Sequence, residues 1–297
     1  MKRNDLLLTL LVMVIWGFNF SMIKTSVSEI NPLLITAARF ALAITPAIFF
    51  IARPKVGWHF LIGYGIVFGV GVWGMAAWSI ASGLSSSLSS VMLSANVLLS
   101  MILGILILDE HFSTRKCIGG IISLVALVLL FHTTTGTTTW KGMILIAVAT
   151  CCWTLCGFIL KASKTQEAFA FSLWSLLFAP IPLIAFAIAL NGHQIIEQTY
   201  NLWNWDTSIA VLFQAYPTTL FGYWVWNKML IRYPLSTVAP LNLLVPVFAM
   251  LSGFLFYDES LTMNQVVVSV LFLLGIAFII TSKTKPSNRL SAIQKTQ

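Results

Sequence analysis

Charged side chains are scarce. Asp, Glu, Lys and Arg make up 9% of the 297 residues, against 58% hydrophobic residues. So little polar surface cannot coat a soluble globule, which excludes a soluble catalytic or nucleic-acid-binding domain and leaves an integral membrane protein. Carboxylates are the rarer sign, nine in all, and every one falls in an expected loop or at a helix end. Proton relays and pumps for organic cations generally bury an ionisable group at mid-membrane. Without one, a neutral or zwitterionic small solute is the expected cargo. The four histidines, His59, His111, His132 and His193, also lie in connecting segments. Cys117, Cys151, Cys152 and Cys156 sit in or at the ends of apolar runs, with the spacing of neither a disulfide framework nor a zinc site. No metal or cofactor is expected, and the thiols read as packing residues. The serine-rich stretch from Gly83 to Ser90 lacks the Gly-Lys-Ser/Thr ending of a phosphate loop, so nucleotide binding is not supported.

Long apolar runs, by contrast, fill the chain. A helix needs about 20 apolar residues to cross the hydrocarbon, and spans are expected near 6–23, 32–51, 61–80, 88–108, 117–131, 142–160, 168–190, 207–226, 236–256 and 263–281. Met1-Lys-Arg before the first run resembles a signal peptide, but Trp16 and Asn19 interrupt the run and no small-residue cleavage site follows. It reads as an uncleaved first helix. A cytoplasmic N-terminus places fourteen of the seventeen basic residues inside, leaving Lys24 and Lys141 outside and Arg39 within a span. The positive-inside rule therefore predicts that both termini are cytoplasmic.

The ten runs divide into two sets of five. Each set opens on a Trp followed eight residues later by Lys, Trp16 to Lys24 and Trp153 to Lys161, and each places an acidic pair before its last helix, Asp109-Glu110 and Asp258-Glu259. Trp16 to Asp109 is 93 residues and Trp153 to Asp258 is 105, and the polar segment 191–206 accommodates the difference. Because five is odd, the second set enters from the opposite face. The expected fold is thus all-α, ten transmembrane helices in two inverted repeats, 1–135 and 136–282, with a basic tail at 283–297. Inverted repeats place a binding site at their interface, where rocking one half against the other opens it to either side.

Polar groups inside the apolar runs are the candidates for that site. Arg39 lies seven residues into the second span, where a cation needs a partner, a carbonyl or a route to the interface; it either tethers the helix or attracts a substrate carboxylate. Asn19, Asn96 and Asn242, with Ser94, either bond neighbouring helices or line a pathway. Trp16 and Phe20 share a helical face with Asn19. Trp58, Trp140, Trp203 and Trp205 read as interface anchors. Pro240 and Pro246 flank Asn242 and are expected to kink the ninth helix. The acidic pairs read as helix caps at the membrane boundary.

Trp-Gly-Phe-Asn-Phe at 16–20 with Lys24, Arg39-Phe40, the segment 46–56, the acidic pairs and Val-Ala-Pro-Leu-Asn-Leu-Leu-Val-Pro-Val at 238–247 together resemble the EamA type of the drug/metabolite transporter superfamily, most closely its enteric exporters of cysteine and O-acetylserine. The resemblance implies a bacterial inner-membrane secondary transporter, not an enzyme, that exports small amino-acid metabolites. It also implies a central cavity from helices 1, 3, 4, 6, 8 and 9. Carried over by position, the lining residues are Trp16, Asn19, Phe20, Trp78, Asn96, Trp153, Tyr223 and Asn242. Another substrate or direction is the alternative within the class; a membrane enzyme acting on lipid-linked substrates is the alternative outside it. The expected partners are the lipid bilayer and the solute, with no nucleic acid, and monomer and homodimer are both open.

Overall fold

The computed structural model describes residues 1–99, 114–133, 139–233, 238–259 and 262–281, and in these the chain is helical throughout with no strand. Asp109, Glu110, His111, most of the linker between the halves and the basic tail lie outside the described residues.

Helix α1 is Arg3–Ser26, and α2 is Pro32–Ala47, begun by Asn31, whose side chain accepts the Leu33 and Leu34 amides, and by Pro32 at the first position. Helix α3 is Trp58–Ala81, α4 is Ser86–Leu99, α5 is Thr114–Thr133, α6 is Trp140–Ser163 and α7 is Ala168–Asn191, stepped just before Pro180. A short exposed helix, Gln194–Leu202, occupies the segment read from sequence as a long polar loop. Helix α8 runs through Trp205–Phe213, Gln214–Phe221 and Gly222–Arg232. Helix α9 is a 3₁₀ turn, Ala239–Leu243, followed by Leu244–Tyr257, and α10 is Met263–Ile280. Among the described residues α1, α3, α6 and α7 are long and apolar enough to cross a membrane. Leu7, Ile121, Ile144, Ile181 and Phe254 are among the large apolar side chains left on the outer surface, as lipid contact requires.

The two halves echo one another in local structure. Helices α1 and α6 each have 24 residues. Helices α3 and α8 each begin with nine α-helical residues from a Trp and then widen into eight residues of π-helix, Val67–Gly74 and Gln214–Phe221. The second widening has a visible cause. Pro217 has no N–H to give, and the Thr219 hydroxyl reaches back to the Gln214 carbonyl at 2.8 Å. Such widenings inside membrane helices frequently mark functional positions.

Packing exchanges the first helices: α1 lies mainly against α8 and α9, whereas α6 lies mainly against α3 and α4. Helices α5 and α10 pack chiefly on each other at the side. The α1–α9 crossing depends on Gly17, where a Cβ would overlap Phe248 and the Ala249 amide. Lipid offers no hydrophobic drive for helix association, so close approach of backbones supplies the stability. Gly17→Ala is therefore expected to cost about 1–3 kcal/mol, read as a lowered thermal midpoint in detergent. Gly63→Ala, with nothing near its added methyl, is the control that should not fall.

Candidate functional site

The bundle has a near end, where Arg3, Lys161 and Arg232 lie, and a far end, where Lys24, Ser86 and Trp140 lie. Between them a cavity of about 340 Å³ lies at the interface between the halves, its lining running from mid-bundle toward the near end, within the usual range for a small-molecule site. Helix α1 contributes Trp16, Asn19 and Phe20, one face of consecutive turns. On α6 the lining runs from Trp153 toward Leu160, on α8 from Thr218 toward Asn227, and Asn242 and Val245 come from the first turns of α9. Gly157 and Asn242, both in the lining, are exposed, so the space is not sealed from the surroundings.

An aromatic wall encloses it. Trp16 meets Tyr223 and Trp226 at ring-centroid distances of 5.4 and 5.5 Å, and Trp73 meets Trp153 at 5.5 Å. The Trp16 indole also donates to the Thr218 carbonyl at 3.1 Å. The 3₁₀ turn before Pro246 brings Asn242 to the cavity, so the prolines expected to kink α9 act on local geometry as well as direction.

Beyond Phe20 the far end is closed by polar contacts between α1 and the second half. Ser21 and Ser252 meet hydroxyl to hydroxyl at 2.8 Å, and Thr25 meets Tyr257 at 2.5 Å. The centre of the closure is Glu259. Its carboxylate accepts from Lys24 Nζ at 2.8 Å, from the Ser86 and Ser87 amides at 3.1 and 3.2 Å, and from both serine hydroxyls, Ser87 at 2.7 Å. The serine-rich stretch thus offers an α-helix N-terminus to an anion, a carboxylate of the other half. Asp258 makes this possible by taking the left-handed conformation (φ 49°), which turns the chain so that Glu259 points back beside Gly253. Burial alone would push the Glu259 carboxyl up. The hydrogen bonds from Lys24, Ser87 and the Ser86 amide, with the Lys24 charge, outweigh that and hold it below the ordinary carboxylate range. At the near end Asp5 joins α1 to α8 through Arg232 at 3.3 Å and the Tyr233 hydroxyl at 2.6 Å. Among the described residues these are the two ion pairs, and each fastens one end of α1 to the second half.

Of the residues singled out from sequence, Trp16, Asn19, Phe20, Asn96, Trp153, Tyr223 and Asn242 come together around the cavity. Ser94, Cys156 and Trp73 join them, and so do Ser172 of α7 and the pair Thr154 and Thr218. Two residues lie elsewhere. Trp78 sits against Phe186 at 6.1 Å with Lys141 over its ring. Arg39 is 1% exposed and behind the wall: its guanidinium lies 4.5 Å from the Trp73 ring, and Nε and Nη2 donate to Thr219 Oγ1 at 3.2 and 3.1 Å. Sequence reasoning took the acidic pair for a simple cap and missed its bond to Lys24; the shared Trp-to-Lys and Asp-Glu spacing of the two halves was the available signal.

Comparison with known proteins agrees with this geometry. The EamA-like transporter family matches residues 4–132 and again 140–281, once in each half. Proteins of Salmonella typhimurium and Escherichia coli, each named probable amino-acid metabolite efflux pump, are 32% identical over 283 residues, covering 93% of this chain and 94% of theirs. A solved crystal structure, 16% identical, covers 94% of this chain and 96% of its own with a TM-score of 0.61, a likeness of fold. The chain belongs to the EamA-like transporter family, a family of transporters rather than enzymes.

Proposed function

We propose that this protein is a bacterial inner-membrane secondary transporter that exports small amino-acid metabolites of the cysteine and O-acetylserine kind by alternating access. The observation that carries the reading is the asymmetry of the cavity: an aromatic-walled space with polar groups has exposed residues, Gly157 and Asn242, in its lining, while ion pairing and serine contacts close the far end. The names of the 32% identical relatives support the substrate class. Lys2, Arg53, Lys161, Lys164 and Lys228 gather with Arg3 and Arg232 toward the near end, which supports a cytoplasmic near side and an inward-open state. The reading includes ten crossings in two inverted copies, supported by the paired signatures, the twofold family match and the matched π segments of α3 and α8. Reporter fusions after Ser85 and Asn201 are then expected to read external, and those at Arg115, Lys164 and the C-terminal tail cytoplasmic. Counterflow in proteoliposomes against a panel of labelled amino acids tests the function without assuming a coupling ion. Accumulation of cysteine or O-acetylserine is the expected result. Movement of lipophilic cations alone would overturn it.

A further inference from the structure

The deep end of the cavity holds polar groups that no described residue satisfies. Asn19 is fully buried, and neither its Oδ1 nor its Nδ2 has a hydrogen-bond partner; the Thr218 hydroxyl, 1% exposed by residue, has none either. Trp73 Nε1, on the neighbouring helix, is buried and without a hydrogen-bond partner among the described residues. All three residues line the cavity. They are neighbours by triangulation, because Trp16, one turn before Asn19, bonds the Thr218 carbonyl, and Phe20, the next residue after Asn19, meets the Trp73 ring at 6.4 Å. Buried amides and hydroxyls without partners are costly and in native proteins call for an explanation.

Behind them lies a charge that no described carboxylate balances. Among the described residues no carboxylate pairs with Arg39, whose guanidinium rests between Thr219 and the Trp73 ring. It therefore touches the π segments of both α3 and α8, through Trp73 and through Thr219, the residue after Thr218. In a low-dielectric surrounding such a cation raises the potential of the adjoining cavity. The rest of the described wall is neutral: groups such as Ser90, Ser94, Asn96, Asn227 and Asn242 can donate or accept, and no carboxylate is there to seat an ammonium.

We infer that this deep end is a carboxylate-receiving subsite, with the Asn19 amide, the Thr218 hydroxyl and the Trp73 indole N–H as donors and Arg39 as a positioning residue that supplies charge from behind the wall. The inference rests on the transport of amino-acid metabolites and adds which end of the solute is recognised. Selection falls on the carboxylate, while the amine is tolerated.

The test is competition against counterflow of labelled O-acetylserine. Unlabelled cysteine and N-acetylcysteine, which keep the carboxylate, are expected to compete within about threefold of each other, and cysteinamide and cysteamine, which lack it, at least tenfold more weakly. Thr218→Val should shrink the preference for cysteine over cysteinamide several-fold; Arg39→Lys should retain more of it than Arg39→Gln at equal protein abundance, which a purely structural arginine would not produce. Equal competition by cysteine and cysteinamide overturns the subsite and leaves amino-acid export standing. Absence of counterflow for every amino acid overturns both.

Discussion

Replacing Glu259 by Gln is expected to unlatch the far end and cut transport at least tenfold while the protein accumulates normally. The substitution keeps the size of the side chain and leaves the Ser86 and Ser87 donors something to bond, but it removes the charge that holds Lys24. Charge-assisted hydrogen bonds are worth about 1.5–3 kcal/mol each, enough to shift the ratio of closed to open far ends roughly 10- to 100-fold. Lys24 is about one-third exposed (32%) and finds water once released, so the effect falls on closure more than on folding. The direct readout is a cysteine at Ser252 in a background lacking the four native cysteines. An impermeant thiol reagent added from outside should label it slowly in the parent and many-fold faster with Glu259→Gln. Acid should imitate the change. A carboxyl held below its ordinary range favours closure at all pH values above that range and loses this contribution as pH falls through its lowered value. The Gln variant should show no such dependence. Equal labelling of parent and variant at neutral pH, with equal transport, would remove Glu259 from the closure.

Accessibility should differ as sharply within the bundle. Single cysteines at Asn19 and Asn242 replace side chains of the cavity wall that approach from α1 and α9, whereas Phe272 is buried in the α5–α10 pairing and touches no part of the cavity. Alternating access wets such wall positions from one side at a time. A small polar thiol reagent reaching the near side is expected to label the Asn242 position at least tenfold faster than the Phe272 position, with the deeper Asn19 position between them. Excess cysteine or O-acetylserine should protect both wall positions and leave Phe272 unchanged. Labelling at one rate for all three, indifferent to solute, would show that the asparagines pack helices and line no pathway.

Much of this was legible in the chain. Apolar run length and basic asymmetry depend on the lipid alone, so the helical membrane class and the paired signatures could be read one residue at a time. Trp16, Asn19 and Asn242 were legible because a polar or aromatic group in an apolar run has few places to go. Three features depend on partners remote in sequence and could not be read locally. The π widening of α3 arises in a run, Val67 to Gly74, that looks like any other apolar stretch. Ser86 and Ser87 gain their role only from a carboxylate about 170 residues away. Arg39 presented two roles because the groups it touches, Trp73 and Thr219, stand in other helices.

The exchange of α1 and α6 separates the genetic unit from the mechanical one. A half cut at the linker carries a first helix whose neighbours belong to the other half, and it lacks the helix that completes its own cluster. A single copy on its own would therefore be an unfinished solid with an open flank, and only two copies together close. A chain one half as long could close this bundle only as a pair, each copy lending its first helix to the other. Joining two copies in one chain replaces a concentration-dependent encounter with a tether and fixes the stoichiometry.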